Sequence, residues 1–354
     1  MTLELGDVCI SNKAIFGPSS PETGLPLSAL RSLNMQTSMV LQNRQRTRPR
    51  DMTMHIEKLA TCRLLLLHAY YYATWPARWL RNHRAVAEGR APVPILFYHR
   101  VADDCANSWT LPNRDFERQI LWLRRHLDLI SLEEAQGRIA GPALPTRRLA
   151  ASITFDDGHA DNCRQAIPLL VKQHIPCTYF VAVDHIVTGK PFASDGCAPN
   201  TVEQIQAMAG SGIEIGAHTA SHADLGEVRD RRRLHDEIVD ATRRLEDLIQ
   251  RRVRYFAFPF GQYVNMTSAA FEIARDAGFE AVCSAYGGYN FPGDDPFHLQ
   301  RIHVDPGMIR LKNRATIDPR MAKTVRYRPS PTGATGETGD SAGRASELSV
   351  PTNH

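Results

Sequence analysis

Two adjacent carboxylates, a spaced pair of imidazoles and a rigid aromatic turn are the features of this 354-residue chain whose residue types could do chemistry together. Asp156 and Asp157 follow Ile153-Thr154-Phe155 and precede Gly158. Neighbouring acids leaving a strand point apart and can divide labour, one ligating a cation and the other moving a proton. Taken alone, Asp-Asp-Gly is a turn whose side chains bond backbone amides, and the chain has two other Asp pairs, Asp103-Asp104 and Asp294-Asp295. His218 and His222 follow the apolar run Ile213-Glu214-Ile215-Gly216-Ala217, and no other pair among the fourteen histidines has that spacing. A short turn brings residues four apart to one side, so both rings can ligate one ion; capping or core histidines are the plainer alternative. The third segment, Tyr255 to Gly261, is by itself a strand and a Pro-Phe-Gly turn. Together, one carboxylate and two imidazoles make a facial ligand set that leaves positions open for water and substrate, as a catalytic metal requires.

These residues need elements to hold them. Between residues 92 and about 315, short apolar runs alternate with helical periods, the pattern of an α/β domain. Strands are predicted at Val93–Tyr98, Ala151–Phe155, Thr178–Val183, Ile213–Ala217, Tyr255–Phe258 and Glu280–Cys283. Helices are predicted at Asp115–Leu127, Ala166–Gln173 and Arg231–Arg251, the last with Leu234, Ile238, Ala241, Leu245 and Leu248 on one stripe. Each chemical segment falls at the C-terminal end of a strand, where barrels and open α/β sheets carry their functional loops.

The rest of the chain is read by composition. A net charge of +4 is too slight to mark a nucleic-acid binder, and 43% hydrophobic residues exclude a wholly disordered or polytopic membrane chain. Seven scattered cysteines without Cys-x-x-Cys spacing point to reduced thiols rather than a disulfide framework or a cysteine-rich zinc module. Residues 1–54 read as a disordered arm with a basic run at 42–50, and Met52 and Met54 are alternative starts of translation. Residues 55–91 read as an amphipathic helical extension, packed on the main domain or lying on a membrane surface through 55–85; Arg63 and His68 break the apolar run needed to span a bilayer. Residues 316–354 read as a disordered tail. With no signal-peptide order at the N-terminus, a cytoplasmic or membrane-peripheral place is expected.

The sequence resembles the polysaccharide deacetylases that share the NodB homology domain. Their signature is Thr-Phe-Asp-Asp-Gly, then His-[Ser/Thr]-x-x-His, then an aromatic Pro-[Tyr/Phe]-Gly segment, read here at Thr154 to Gly158, His218 to His222 and Phe256 to Gly261. The likeness runs from about Val93, through Tyr98-His99-Arg100-Val101, to Val304. It implies a single distorted or incomplete (β/α) barrel, with a flavodoxin-like open sheet as the structural rival. It also implies metal-dependent hydrolysis of N-acetyl groups on a sugar or polysaccharide. Asp157, His218 and His222 would hold a divalent ion, most plausibly zinc, Asp156 would be the general base, and the Phe260 amide would meet the oxyanion. The arginine that the family carries in its third motif is replaced by Ala257, so Arg301 or Arg100 is expected to supply a guanidinium from another strand. For the acid that protonates the leaving amine, His303 is the first choice and His298 the second. The rivals are a glycan-binding protein that kept the fold without turnover, a hydrolase of a different amide, and, last, a nucleic-acid role for the basic arm.

Overall fold

The computed structural model describes the backbone of residues 50–329 and side chains from residue 61 onward; of the arm expected at 1–54, residues 1–49 lie outside the described residues and 50–54 are helical instead, and of the tail expected at 316–354, residues 330–354 lie outside them. The fold below belongs to the unit that begins at Leu64. Nine parallel strands build one sheet, eight of them along its main path: β1 (Ile95–Tyr98), β2 (Ala150–Phe155), β3 (Thr178–Val181), β4 (Glu214–Ala217), β5 (Tyr255–Ala257), β6 (Ala281–Cys283), β7 (His298–Leu299) and β8 (Arg301–His303), with the two-residue strand Asp128–Leu129 pairing beside the start of β2. The order along that path is β7-β6-β5-β4-β3-β2-β1-β8. All six predicted strands are present; five of their twelve ends are trimmed by a residue or two, one is extended by a residue and the rest match. The sheet curls until it nearly closes, because β7 and β8 are one stretch of chain interrupted only at Gln300: His298 and Leu299 pair with Val282 and Cys283 of β6, while Arg301 to His303 pair with Ile95 to Phe97 of β1. That arrangement is the incomplete barrel expected, and not the open flavodoxin-like sheet.

Strands buried on both faces read as continuous apolar runs, and β1, β2, β3 and β5 are buried throughout. Inside the barrel pack Ile95, Phe180, Tyr255, Ala257, Cys283 and Leu299, while outside, the larger cluster joins the sheet to its helices through Phe116, Ile120, Leu170, Ile238 and Leu245. Helix α2 (Asn113–His126) and the helix Ala166–Lys172 match prediction within two residues at each end. The long predicted helix is interrupted: Arg231–His235 and Ala241–Ile249 are joined by a π-helical turn at Asp236–Asp240, and Leu248 is only half-buried, with Ile249 buried beside it. The six described cysteines are all free, and three of them are buried.

Two expectations at the edges need correction. Helix α1 (Arg50–Ala87) is not amphipathic in the expected sense. Its described buried stripe is Tyr71, Arg78, Asn82 and Val86, while Leu65, Leu66, Tyr72, Trp75 and Trp79 are exposed. Polar groups turn inward because the body offers them partners: Arg78 donates to the Asn313 carbonyl and side chain, and Asn82 to the Thr316 carbonyl. Order also continues beyond 316. Ile317 and Asp318 are buried, and Tyr327 stacks on Phe271 with its hydroxyl donating to the Met266 carbonyl. Composition missed this because a few anchoring side chains suffice where a surface is already waiting for them.

His298 is buried with its Nε2 3.0 Å from the Ser284 hydroxyl. Burial first, and then Arg326, push its imidazole down to about 4. Because the unfolded chain takes up that proton near the ordinary value of about 6.5, stability is intact above that pH and falls as pH drops toward 4. Urea midpoints are expected to decline across that window, and less steeply for His298→Asn.

Candidate active site

The carboxylates and imidazoles meet at the C-terminal ends of β2 and β4. The Asp156 amide still bonds the Tyr98 carbonyl of β1, and then the chain turns: Asp157 takes φ +72° and Gly158 φ +100°. Aspartate tolerates the left-handed region better than most residues, and glycine enters it freely. The turn sends the two acids to different partners. Asp156 is clamped by Arg301, whose Nη1 and Nη2 donate to its two oxygens at 2.5 and 2.8 Å. Asp157 points its Oδ1 at the two imidazoles, 3.5 Å from His218 Nε2 and 3.1 Å from His222 Nε2, and its Oδ2 at His159 Nε2, 3.4 Å away.

The imidazoles are held by backbone as much as by sequence spacing. The His218 amide donates to Val181 of β3, and its Nδ1 bonds the Ala257 carbonyl of β5 at 2.8 Å. A carbonyl only accepts, so Nδ1 carries the proton and Nε2 of the neutral ring is left with its lone pair toward Asp157. In the turn that carries the pair, Thr219 and His222 both take left-handed φ, +66° and +59°. Glu237, buried in the π-helical turn, holds that loop: its carboxylate accepts from the amides of Ala220 and Ser221 and from the Ser221 hydroxyl at 2.7 Å. A π turn in a helix frequently marks a functional position, and here it serves the loop carrying the two histidines.

Can these residues hold a cation? The Asp157 Oδ1 is buried without a well-formed hydrogen bond, and two Nε2 atoms converge on it. Lone pairs facing one another in a buried site repel unless protons or a cation lie among them. The three donor atoms lie within 4.8 Å of one another, which a cation would draw together. The set therefore fits a divalent ion. The other such cluster among the described residues, His235, Asp236 and Asp240, lies on a helix surface where Asp240 pairs with Arg243 at 3.1 Å.

Electrostatics separate the acids from ordinary surface carboxylates. Burial alone would raise both, but the Arg301 guanidinium outweighs it at Asp156 and keeps that acid below its usual range. At Asp157, His159, His218 and His222 together outweigh burial and hold it well below. His222 is itself raised: burial opposes its charge, and Asp157 more than restores it.

The pocket around these groups has a volume of about 220 Å³ and is lined by Phe97, Trp109, Phe260 and His303 in addition to the acids and imidazoles. Phe260, at φ +60°, presents an exposed ring 5.1 Å from that of His222, and no hydrogen bond among the described residues takes up its amide. The following Gly261 has no room for a side chain, since a Cβ would lie 2.6 Å from the Ala285 nitrogen. His303 lies at the pocket wall with Nδ1 3.0 Å from Asp305, whereas His298 lies outside the pocket against Ser284. Of the two arginines considered, Arg301 reaches Asp156, and Arg100 is turned away to Asp161 at 2.6 Å. Residues that sequence reasoning missed are His159, Asp195, Trp109 and Glu237. His159 is two residues beyond Asp157, so proximity alone could have flagged it; Asp195 reaches the pocket from a loop whose path no local pattern encodes.

Comparison with known proteins points to the same fold. Residues 144–282 match the family model described as polysaccharide deacetylase. The "Putative polysaccharide deacetylase YxkH" of Bacillus subtilis (strain 168) is 28% identical over 231 residues, covering 65% of this chain and 76% of that protein. The structure of IcaB from Ammonifex degensii superposes with a TM-score of 0.55 at 27% identity, covering 64% of this chain and 98% of that one. Streptococcus pyogenes deacetylase PplD, solved with acetate, shares the fold with a TM-score of 0.54 at 21% identity, over 62% of this chain and 95% of its own. The chain is thus related to polysaccharide deacetylases in sequence and fold, and it is a polysaccharide deacetylase-like amidohydrolase.

The Arg301–Asp156 pair is fully buried, so truncating one member strands the other charge. Arg301→Met is expected to lower stability by about 3–5 kcal/mol, read as a drop in the urea midpoint, and Asp156→Asn in the same chain to recover part of the loss.

Proposed function

We propose that this polysaccharide deacetylase-like amidohydrolase removes N-acetyl groups from a sugar or polysaccharide by metal-dependent hydrolysis, releasing acetate and leaving a free amine. The observation that carries the proposal is the division of the adjacent acids: Asp157 faces two imidazole nitrogens, while Asp156 is held apart by Arg301. In this reading Asp157, His218 and His222 hold a divalent cation, zinc by donor type. Bound there, such an ion lowers the pKa of water and polarises an amide carbonyl.

The remaining roles fall to this chain's own groups. Asp156, fixed in orientation by the bidentate clamp, accepts the proton of the attacking water. The Phe260 amide, which no hydrogen bond among the described residues takes up, donates to the oxyanion as the carbonyl carbon becomes tetrahedral. His303 gives a proton to the leaving nitrogen, with Asp305 stabilising the charged ring through Nδ1. Trp109 and Phe260 offer exposed aromatic faces to a sugar ring. The catalytic domain is the one read from the sequence at 92–315, extended by the packing of Ile317, Asp318 and Tyr327. Arg301 at the base counts against a glycan-binding protein without turnover, because it occupies the role that Ala257 left open.

Treatment with a chelator is expected to abolish acetate release from N-acetylated amino-sugar oligomers, and added zinc to restore it; activity indifferent to chelation overturns the reading. Asp156→Asn should lower turnover by roughly 10²–10⁴-fold, the usual contribution of a general base, while retaining bound metal by elemental analysis. His218→Ala should lose both metal and activity.

A further inference from the structure

A groove of about 710 Å³, larger than the active-site pocket, lies among α1, the end of α2, residues 147–149 and the helix Met308–Ala315. Its walls combine Trp75, Trp79 and Trp122 with Arg147, Arg148 and Lys312, and no carboxylate lines it. Arg78 adds a buried guanidinium whose hydrogen bonds all go to neutral oxygens, those of Thr74 and Asn313. Residues 64–87 of α1 contain three arginines and neither Asp nor Glu. On the same helix the apolar side chains face solvent: Leu65, Leu66 and Tyr72 are each more than 60% exposed, and Trp75 and Trp79 nearly half. No helix among the described residues is long and apolar enough to cross a membrane.

Exposed leucines, tryptophan and tyrosine beside a groove whose lining has cations and no carboxylate, Arg148 alone of its three wall cations reaching an acid among the described residues, Asp128 at 3.5 Å, are complementary to one environment, the headgroup region of an anionic bilayer. Aromatic rings settle there with their apolar bodies inward, and arginine and lysine meet lipid phosphate. Position adds a second argument. Leu149 immediately precedes β2, and Leu127 follows the end of α2, so the groove lies toward the N-terminal ends of the strands. The acids and imidazoles sit at the opposite, C-terminal ends. We infer that the exposed face of α1 from Leu64, with this groove, docks the protein on an anionic lipid surface and leaves the active-site mouth facing away from it.

The test is sedimentation of the full chain with vesicles of phosphatidylcholine doped with phosphatidylglycerol, against phosphatidylcholine alone. Binding to the doped vesicles, weakened by salt and accompanied by a blue shift of tryptophan emission, is expected. Arg147→Gln with Lys312→Gln should weaken it by about fivefold per charge removed, and Trp75→Ser with Trp79→Ser should weaken it without lowering the urea midpoint. Absence of binding to doped vesicles overturns the inference, as does binding indifferent to both pairs of substitutions. Lipid-free light scattering that shows a dimer abolished by the tryptophan substitutions assigns the face to a second copy, and overturns it too.

Discussion

The bidentate contact between Arg301 and Asp156 joins the closure of the barrel to the setting of its chemistry. Arg301 belongs to β8, which pairs with β1, and its guanidinium crosses to the end of β2. The cation lies inside the barrel, 4.8 Å from the Phe97 ring and 5.2 Å from that of Phe180, with Nε given to the Ser284 carbonyl. A charge in such a place is costly unless its donors and its counter-ion are met, and here they are. Displacing β8 would therefore strand both a buried cation and a buried anion. The strand is also held by its ladder to β1 and by Asn290 on the Gln300 backbone, but only the Arg301 contact joins its register to the orientation of Asp156.

Backbone strain is concentrated around the same centre. Eight non-glycine residues among those described have positive φ, and Asp157, Thr219, His222 and Phe260 all line or carry the pocket. Such conformations cost on the order of 1 kcal/mol or more each and persist where neighbours over-determine them. The neighbours are visible: Ala182 bonds the Asp157 carbonyl, Val183 bonds that of Thr219, and Glu237 fastens Ala220 and Ser221. A preordered arrangement of the acid and the two imidazoles follows from this, with the rings already fixed where they face Asp157.

What the sequence could announce was whatever is local. Strand ends followed by Asp-Asp-Gly, His-x-x-x-His and Pro-Phe-Gly are contiguous signals, and six strands were legible because buried parallel strands are plain apolar runs. The closing strand was not: Arg301-Ile302-His303 is short and largely polar, its burial earned only across the barrel from Asp156. For the same reason Arg100 and Arg301 stood as equals until the fold set their distances. Helix α1 misled in the opposite sense, because an inward Arg78 is intelligible only once Asn313 is known to face it. Glu237 lay next to the buried stripe, one residue before Ile238, yet its role depends on the distant amides it holds.

The clamp on Asp156 also bears on why a second acid is needed. A guanidinium that keeps a carboxylate ionised and oriented weakens it as a base by the same interaction, so Asp156 alone is poorly matched to unactivated water. Weakening the base is useful only where the water it serves is made more acidic by something else nearby. Asp157, adjacent in sequence yet turned by its left-handed backbone toward two ring nitrogens, is placed to recruit that something. A single aspartate could not both accept the clamp and face the imidazoles, because its two oxygens are engaged by one fork. The Asp-Asp step therefore separates two tasks: one residue spends its oxygens on being held still by Arg301, and the next turns its own toward the ring nitrogens.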